Sequence, residues 1–140
     1  MAKYSTATTL GDSAAAVWKT IRDFGGIGRW LPLAKCELRG SGVGAVRTIT
    51  TTEGAVLVER LERCDEGTRT LSYAITESPL PFQKYVATMQ LRELGPDRCE
   101  LTWSASYEPK GATEQDVNAI LANVFSTGFD GLGKLHGGRR

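Results

Sequence analysis

Histidine occurs once in this sequence, at position 136 beside Gly137-Gly138 near the end of the chain. A lone imidazole in that position leaves out most histidine-based nucleophile pairs and is expected at the surface. Cysteine is scarce too. Cys36, Cys64 and Cys99 are odd in number and far apart, with no CxxC and no Cys/His grouping, so they read as small buried hydrophobes. No metal and no cofactor is expected. No apolar run approaches the roughly 20 residues that cross a bilayer, and Met1 to Thr6 carries no apolar targeting segment. A cytoplasmic protein without membrane insertion is the expectation. Neither sign of charge dominates: 17 Lys and Arg face 16 Asp and Glu, spread without long blocks, so nucleic acid is not an expected partner. A phosphate cradle is also missing. Gly25-Gly26-Ile27-Gly28 follows a helical pattern instead of a strand and fails the GxGxxG and GxxxxGK[ST] spacings. It reads as a helix C-cap and a close-packing elbow.

What is present is an ordered set of elements. Lys3 to Leu10, rich in Thr and Tyr, reads as a first strand. Asp12 or Ser13 then caps a helix to about Phe24, with Val17, Trp18, Ile21 and Phe24 on its apolar face. A short second helix over Ile27 to Leu31 fits before Pro32. From about Lys35 to Tyr107 six strands follow, broken by turn signals such as Gly40-Ser41-Gly42, Glu53-Gly54, Asp65-Glu66-Gly67 and Gly95-Pro96-Asp97. Alternation places Leu71, Tyr73 and Ile75 on one face, as it does Tyr85, Ala87, Met89 and Leu91, and Leu101, Trp103, Ala105 and Tyr107. These are strands with one wet side. Thr113, with Asp116 three residues on, caps a long helix carrying Val117, Ile120, Leu121, Val124, Phe125 and Leu132 at helical spacing.

A chain of this length forms one domain, residues 1–140, and buries roughly 70% of its unfolded surface without disulfides. A curved sheet of about seven strands must cover its inner face, and the C-terminal helix is the element long enough to do so. The expected architecture is therefore α+β, an antiparallel sheet gripping a long helix, with a ligand cavity between the two.

This order, with Phe24 eleven residues before Lys35-Cys36, Gly44-Ala45-Val46-Arg47 opening a strand and Glu59-Arg60-Leu61-Glu62 in the next, resembles the START/Bet v 1-like (SRPBCC) superfamily of helix-grip proteins. The likeness covers nearly the whole chain. It is strongest from Gly44 to Tyr85, where the spacing to "ERLE", "RTLSY" and Tyr85 is similar to that of the plant abscisic-acid receptors and their polyketide cyclase/dehydrase-like bacterial relatives. The resemblance implies that Lys35 holds a ligand carboxylate inside the cavity and that Glu59 belongs to a polar network there. It also implies that Tyr73, Ile75 and Tyr85 line the cavity and that Thr50 to Ala55 and Ser78 to Phe82 form two mouth loops. Thr51-Thr52-Glu53-Gly54 and Leu80-Pro81-Phe82 depart from the receptors' gate and latch, so hormone sensing by that gate is not implied.

The residues themselves weigh these roles differently. Lys35 either points inward and selects anions or is a solvated strand-edge lysine, since strand parity next to Pro32 is open. Glu59 shares a face with Leu57 and Leu61, which favours the inside. Leu80 and Phe82, framed by two prolines, can plug an apolar mouth, pack on a neighbouring loop or meet a second copy, so a homodimer is among the partners considered. Asn123, Thr127 and Gly131 lie four apart and offer either a small polar stripe toward ligand or an exposed face. On the last strand, alternation puts Trp103 inside, whereas the family match puts Thr102 there. The expected function is binding of a small hydrophobic ligand, with a carboxylate among its options. The alternatives are a cyclase/dehydrase-type enzyme, with Glu59 as base and Lys35 or Tyr85 as acid or oxyanion donor, and an interaction module that uses the mouth loops.

Overall fold

A computed structural model describes all 140 residues. Seven strands form one antiparallel sheet: β1 (Ala2–Leu10), β2 (Lys35–Arg39), β3 (Val46–Thr50), β4 (Val56–Asp65), β5 (Thr70–Glu77), β6 (Phe82–Gly95) and β7 (Arg98–Pro109). Their spatial order is β1-β7-β6-β5-β4-β3-β2, so β2 to β7 form a meander and β1 closes it beside β7. Two helical segments lie between β1 and β2, and α2 (Glu114–Leu135) follows β7. This is the helix-grip architecture expected from the order of elements.

Local chemistry explains the helices. Ser13 caps α1 (Ala14–Arg22) by accepting from the Ala16 N–H at 3.1 Å, and Val17, Trp18 and Ile21 turn inward. The glycine-rich stretch behaves differently from the expected elbow. α1 ends at Arg22, and Phe24–Arg29 forms a 3-10 turn that includes all three glycines, none of which has a positive φ. A Cβ at Gly25 would lie only 3.1 Å from Leu38, so the absent side chain lets this turn press on β2. The capping box of α2 forms between Thr113 and Asp116, as their spacing predicts.

The long helix rests on β1 and β7. Phe125 stacks on Trp103 with ring centroids 4.1 Å apart and planes within 9°, and Phe129 and Tyr4 complete the cluster. Trp30, just after the 3-10 turn, meets Trp103 edge-on at 5.8 Å. Two glycines of α2 admit it. A Cβ on Gly128 would strike the Trp103 ring, and one on Gly131 would overlap the Trp30 carbonyl.

The lone histidine is buried, contrary to the surface position expected of it. His136 Nδ1 lies 2.7 Å from Asp12 Oδ2 and Nε2 lies 2.8 Å from Thr20 Oγ1, so one imidazole links the start of α1, its interior and the end of α2. The tail beyond it runs beside β1, with Gly11 N–H donating to Gly138 O and Arg140 N–H to Thr9 O. That pairing covers the last residues of β1 on the open edge of the sheet. The flanking glycines that mark a frayed end in sequence are here the residues that let the chain turn back, Gly137 and Gly138 both having positive φ.

Candidate functional site

The inner face of β3, β4 and β5 carries a polar cluster in an otherwise apolar interior. β3 and β4 pair so that Arg47 lies opposite Glu59, and both side chains are buried. Arg47 Nε and Nη2 converge on one carboxylate oxygen, Oε1 of Glu59, at 2.8 and 2.7 Å. Nη1 donates to the Phe24 carbonyl at 3.0 Å. The guanidinium is covered by the Phe24 ring at 3.8 Å and by Tyr73 at 5.0 Å. The other Glu59 oxygen accepts no hydrogen bond from the protein. A buried charge pair loses its water, and here the three hydrogen bonds of the guanidinium offset part of that loss while one carboxylate oxygen is left without a protein donor.

Tyr73 and Tyr85 stand beside the pair, with ring centroids 6.2 Å apart. Burial, reinforced by the Glu59 charge, raises the Tyr73 phenol well above its ordinary value. Burial and the neighbouring Tyr73 do the same to Tyr85. Both therefore remain O–H donors across the physiological range. The indole N–H groups of Trp30 and Trp103 are buried with no hydrogen-bond partner. Four neutral donors and one free carboxylate oxygen thus share the interior.

A bulge in β6 brings in Phe82. The register slips between Gln83 and Val86, and Lys84 adopts φ 53°, so Phe82 and Tyr85 point to the same side although three residues apart. Their rings stack at 4.8 Å, which makes Phe82 a buried wall and the first residue of a strand, not a loop tip. Leu80, Ile75 and Val124 pack against the core while half-buried. The turns at 51–55, 78–81 and 110–113 lie at this end of the sheet, where Lys110 N–H donates to Pro81 O at 3.0 Å.

Other expected site residues are placed differently. Lys35 points away from the interior: its side chain is 63% exposed and its ammonium pairs with Glu37 at 2.7 Å. The ladder explains why, because the next residue, Cys36, faces the buried Ile49 and strand parity then turns Lys35 outward. Asn123 is exposed, and the half-buried Thr127 donates its hydroxyl to the Asn123 carbonyl. Gly131, the third member of that stripe, is taken up by Trp30. On β7 the alternation is unbroken, so Trp103 lies inside and Thr102 outside. The inward cation missed by sequence reading is Arg47. Its signal is the face it shares with Ile49, two residues on in "VRTIT". A separate groove of about 490 Å³ opens at the far end of the sheet, over Phe24, Leu61 and Cys64.

The family described as polyketide cyclase / dehydrase and lipid transport matches residues 1–136. The chain belongs to that family. No curated protein matches it in sequence. Among solved structures, the XoxI protein of Bacillus cereus is 25% identical with a TM-score of 0.90, covering 97% of this chain and 96% of that one. Norcoclaurine synthase from Thalictrum flavum, in complex with dopamine and hydroxybenzaldehyde, is 20% identical with a TM-score of 0.78, over 95% and 84% of the two chains. A START superfamily protein from Mycobacterium smegmatis is 14% identical with a TM-score of 0.82, over 97% of each. The last two likenesses concern the fold alone. As a member of the polyketide cyclase / dehydrase and lipid transport family, the chain carries the family's association with small hydrophobic ligands. No helix of the structure is long and apolar enough to cross a membrane.

Proposed function

We propose that the protein binds a small hydrophobic ligand bearing hydrogen-bond acceptors between the sheet and α2, against Tyr73, Tyr85, Trp30 and Trp103. One observation carries this reading: two indole N–H groups are buried in the interior without a partner. A buried donor left unpaired costs about 1–3 kcal/mol, which a carbonyl or hydroxyl oxygen of a ligand would recover. Ring faces of Phe82, Tyr85 and Trp103 supply the apolar contact, and the half-buried Ile75, Leu80 and Val124 provide the approach. The complex of norcoclaurine synthase with two small aromatic molecules supports this use of the fold.

Native mass spectrometry of the purified protein, followed by denaturing extraction, tests the proposal. A discrete apolar adduct with oxygen acceptors is the expected result. If the purified protein carries no adduct and takes up none from a panel of neutral aromatic ketones, the reading falls.

A second reading is an enzyme of the cyclase/dehydrase type. Its support is the free oxygen of Glu59 beside two tyrosines kept protonated. Glu59 would remove a proton next to a ligand carbonyl, and Tyr73 or Tyr85 would donate to the oxygen on which negative charge develops. Turnover of an extracted ligand, lost in Glu59→Gln, distinguishes it from simple binding.

A further inference from the structure

Arg47 is the inward cation, yet its charge is already matched by Glu59 and every one of its nitrogens has a partner. Nε and Nη2 are held by Glu59, Nη1 is held by the Phe24 carbonyl, and the rings of Phe24 and Tyr73 cover the guanidinium. Lys35, which would be the other source of positive charge, lies outside on Glu37. What faces an incoming ligand is the opposite: a carboxylate oxygen of Glu59 with no protein donor, together with neutral O–H and N–H groups. A ligand carboxylate entering here would lose its water without gaining a counter-charge and would meet a like charge. A neutral hydroxyl can donate to that Glu59 oxygen, and a neutral carbonyl can accept from the O–H and N–H groups, with no charge to desolvate in either case.

We infer that the Arg47–Glu59 pair makes the interior selective for neutral ligands and that Glu59 is the specificity-determining residue, because it neutralises the one buried guanidinium. The inference rests on the ligand-binding reading above. It has a direct corollary: replacing Glu59 with an uncharged side chain releases the Arg47 charge and converts the interior into a site for carboxylates.

The test uses N-phenyl-1-naphthylamine as a fluorescent reporter, displaced by decan-1-ol or by decanoate at about pH 8, where the acid is ionised. Decanoate is the better hydrated competitor in any case, so the decisive quantity is the change in the alcohol-to-acid ratio between wild type and Glu59→Gln. Wild type is expected to favour decan-1-ol, and the variant to move the ratio toward decanoate by about tenfold or more. Glutamine retains an acceptor for Arg47. If circular dichroism shows that Glu59→Gln does not fold, Glu59→Met replaces it, leaving the same freed guanidinium beside an apolar side chain of similar length. An unchanged ratio in the folded variant overturns the inference while leaving ligand binding intact. Failure of the reporter to bind wild type at all overturns the ligand-binding reading and the inference with it.

Discussion

The two halves of the sheet's inner face solve the same packing problem by opposite means. Under α2, the β1-β7 side is an aromatic stack of Tyr4, Trp103, Phe125 and Phe129. Across the sheet, β3, β4 and β5 bury Arg47, Glu59 and Tyr73, covered by a 3-10 turn of six residues instead of a helix of 22. A long helix can present a continuous apolar stripe, so the strands beneath it can be apolar throughout. A short turn offers backbone carbonyls along with its side chains, and Phe24 provides both a ring and a carbonyl to Arg47. The helical half holds the fold together, whereas the half under the turn carries groups able to recognise polar chemistry.

Removing one buried side chain from each half breaks the comparison most sharply. Trp103→Ala is expected to destabilise by about 3–5 kcal/mol, because the stacked rings of α2 cannot collapse into the space left. Arg47→Met should cost about 3 kcal/mol by leaving Glu59 buried without its counter-charge. The two losses differ in whether a second change can offset them. Arg47→Met with Glu59→Leu should recover most or all of the stability, since a buried ion pair contributes little net free energy over well-packed apolar groups. No partner change rescues Trp103→Ala. Urea unfolding of the three variants measures this, and a double variant no more stable than Arg47→Met would show the pair to be a net source of stability.

A pH experiment sharpens the comparison by testing one acid-sensitive tie of the helical half. The hydrogen bond from His136 holds the Asp12 carboxyl below its ordinary value of 3.8. A lowered folded pKa contributes stability that is complete above the unfolded value and is lost as pH falls through the folded one. Asp12→Asn should therefore flatten the fall in stability below about pH 4. Because His136 ties the end of α2 to α1, hydrogen exchange in acid should rise first at the C-terminal turn of α2 and along β1, ahead of β3 to β5.

The fold was legible because its signals are local and repeated. Alternation in β5, β6 and β7, the Thr113–Asp116 box and the helical stripe after it specify a meander and a long helix without any distant contact. The site was legible only where parity carried over from such runs: Glu59 shares its face with Leu57 and Leu61, and Trp103 follows its strand's alternation. What escaped depends on register or on contacts far along the chain. The pairing of Arg47 with Glu59 is set by the turn at 51–55, and nothing in the composition of "VRTIT" shows which residue lies opposite. His136 is buried by partners 124 and 116 residues away, which no window on the sequence contains. The glycines at 25, 26 and 28 misled for a related reason, since none of them takes a left-handed cap conformation and Gly25 is needed because Leu38 of β2 packs against it.

Lys35 gives the smallest expected effect and the clearest control on the difference between the halves. It lies on the outer side of the edge strand, and its ammonium, raised in pKa by the hydrogen bond and charge of Glu37, is exposed to solvent. Exposed pairs of this type contribute little, because water screens them and two long side chains must be held in place. Lys35→Ala should leave the unfolding midpoint and the binding of N-phenyl-1-naphthylamine unchanged within error, and it should leave the ratio of decan-1-ol to decanoate where the wild type has it. If it instead weakened decanoate alone, β2 would have to turn over in solution to bring the lysine inside. That would require a one-residue slip against β3, which would also expel Cys36 from Ile49 and move Leu38 away from Gly25. The apolar contacts that fix this register are the reason the lysine should be silent, and the interior's response to charge should then follow Glu59 and Arg47.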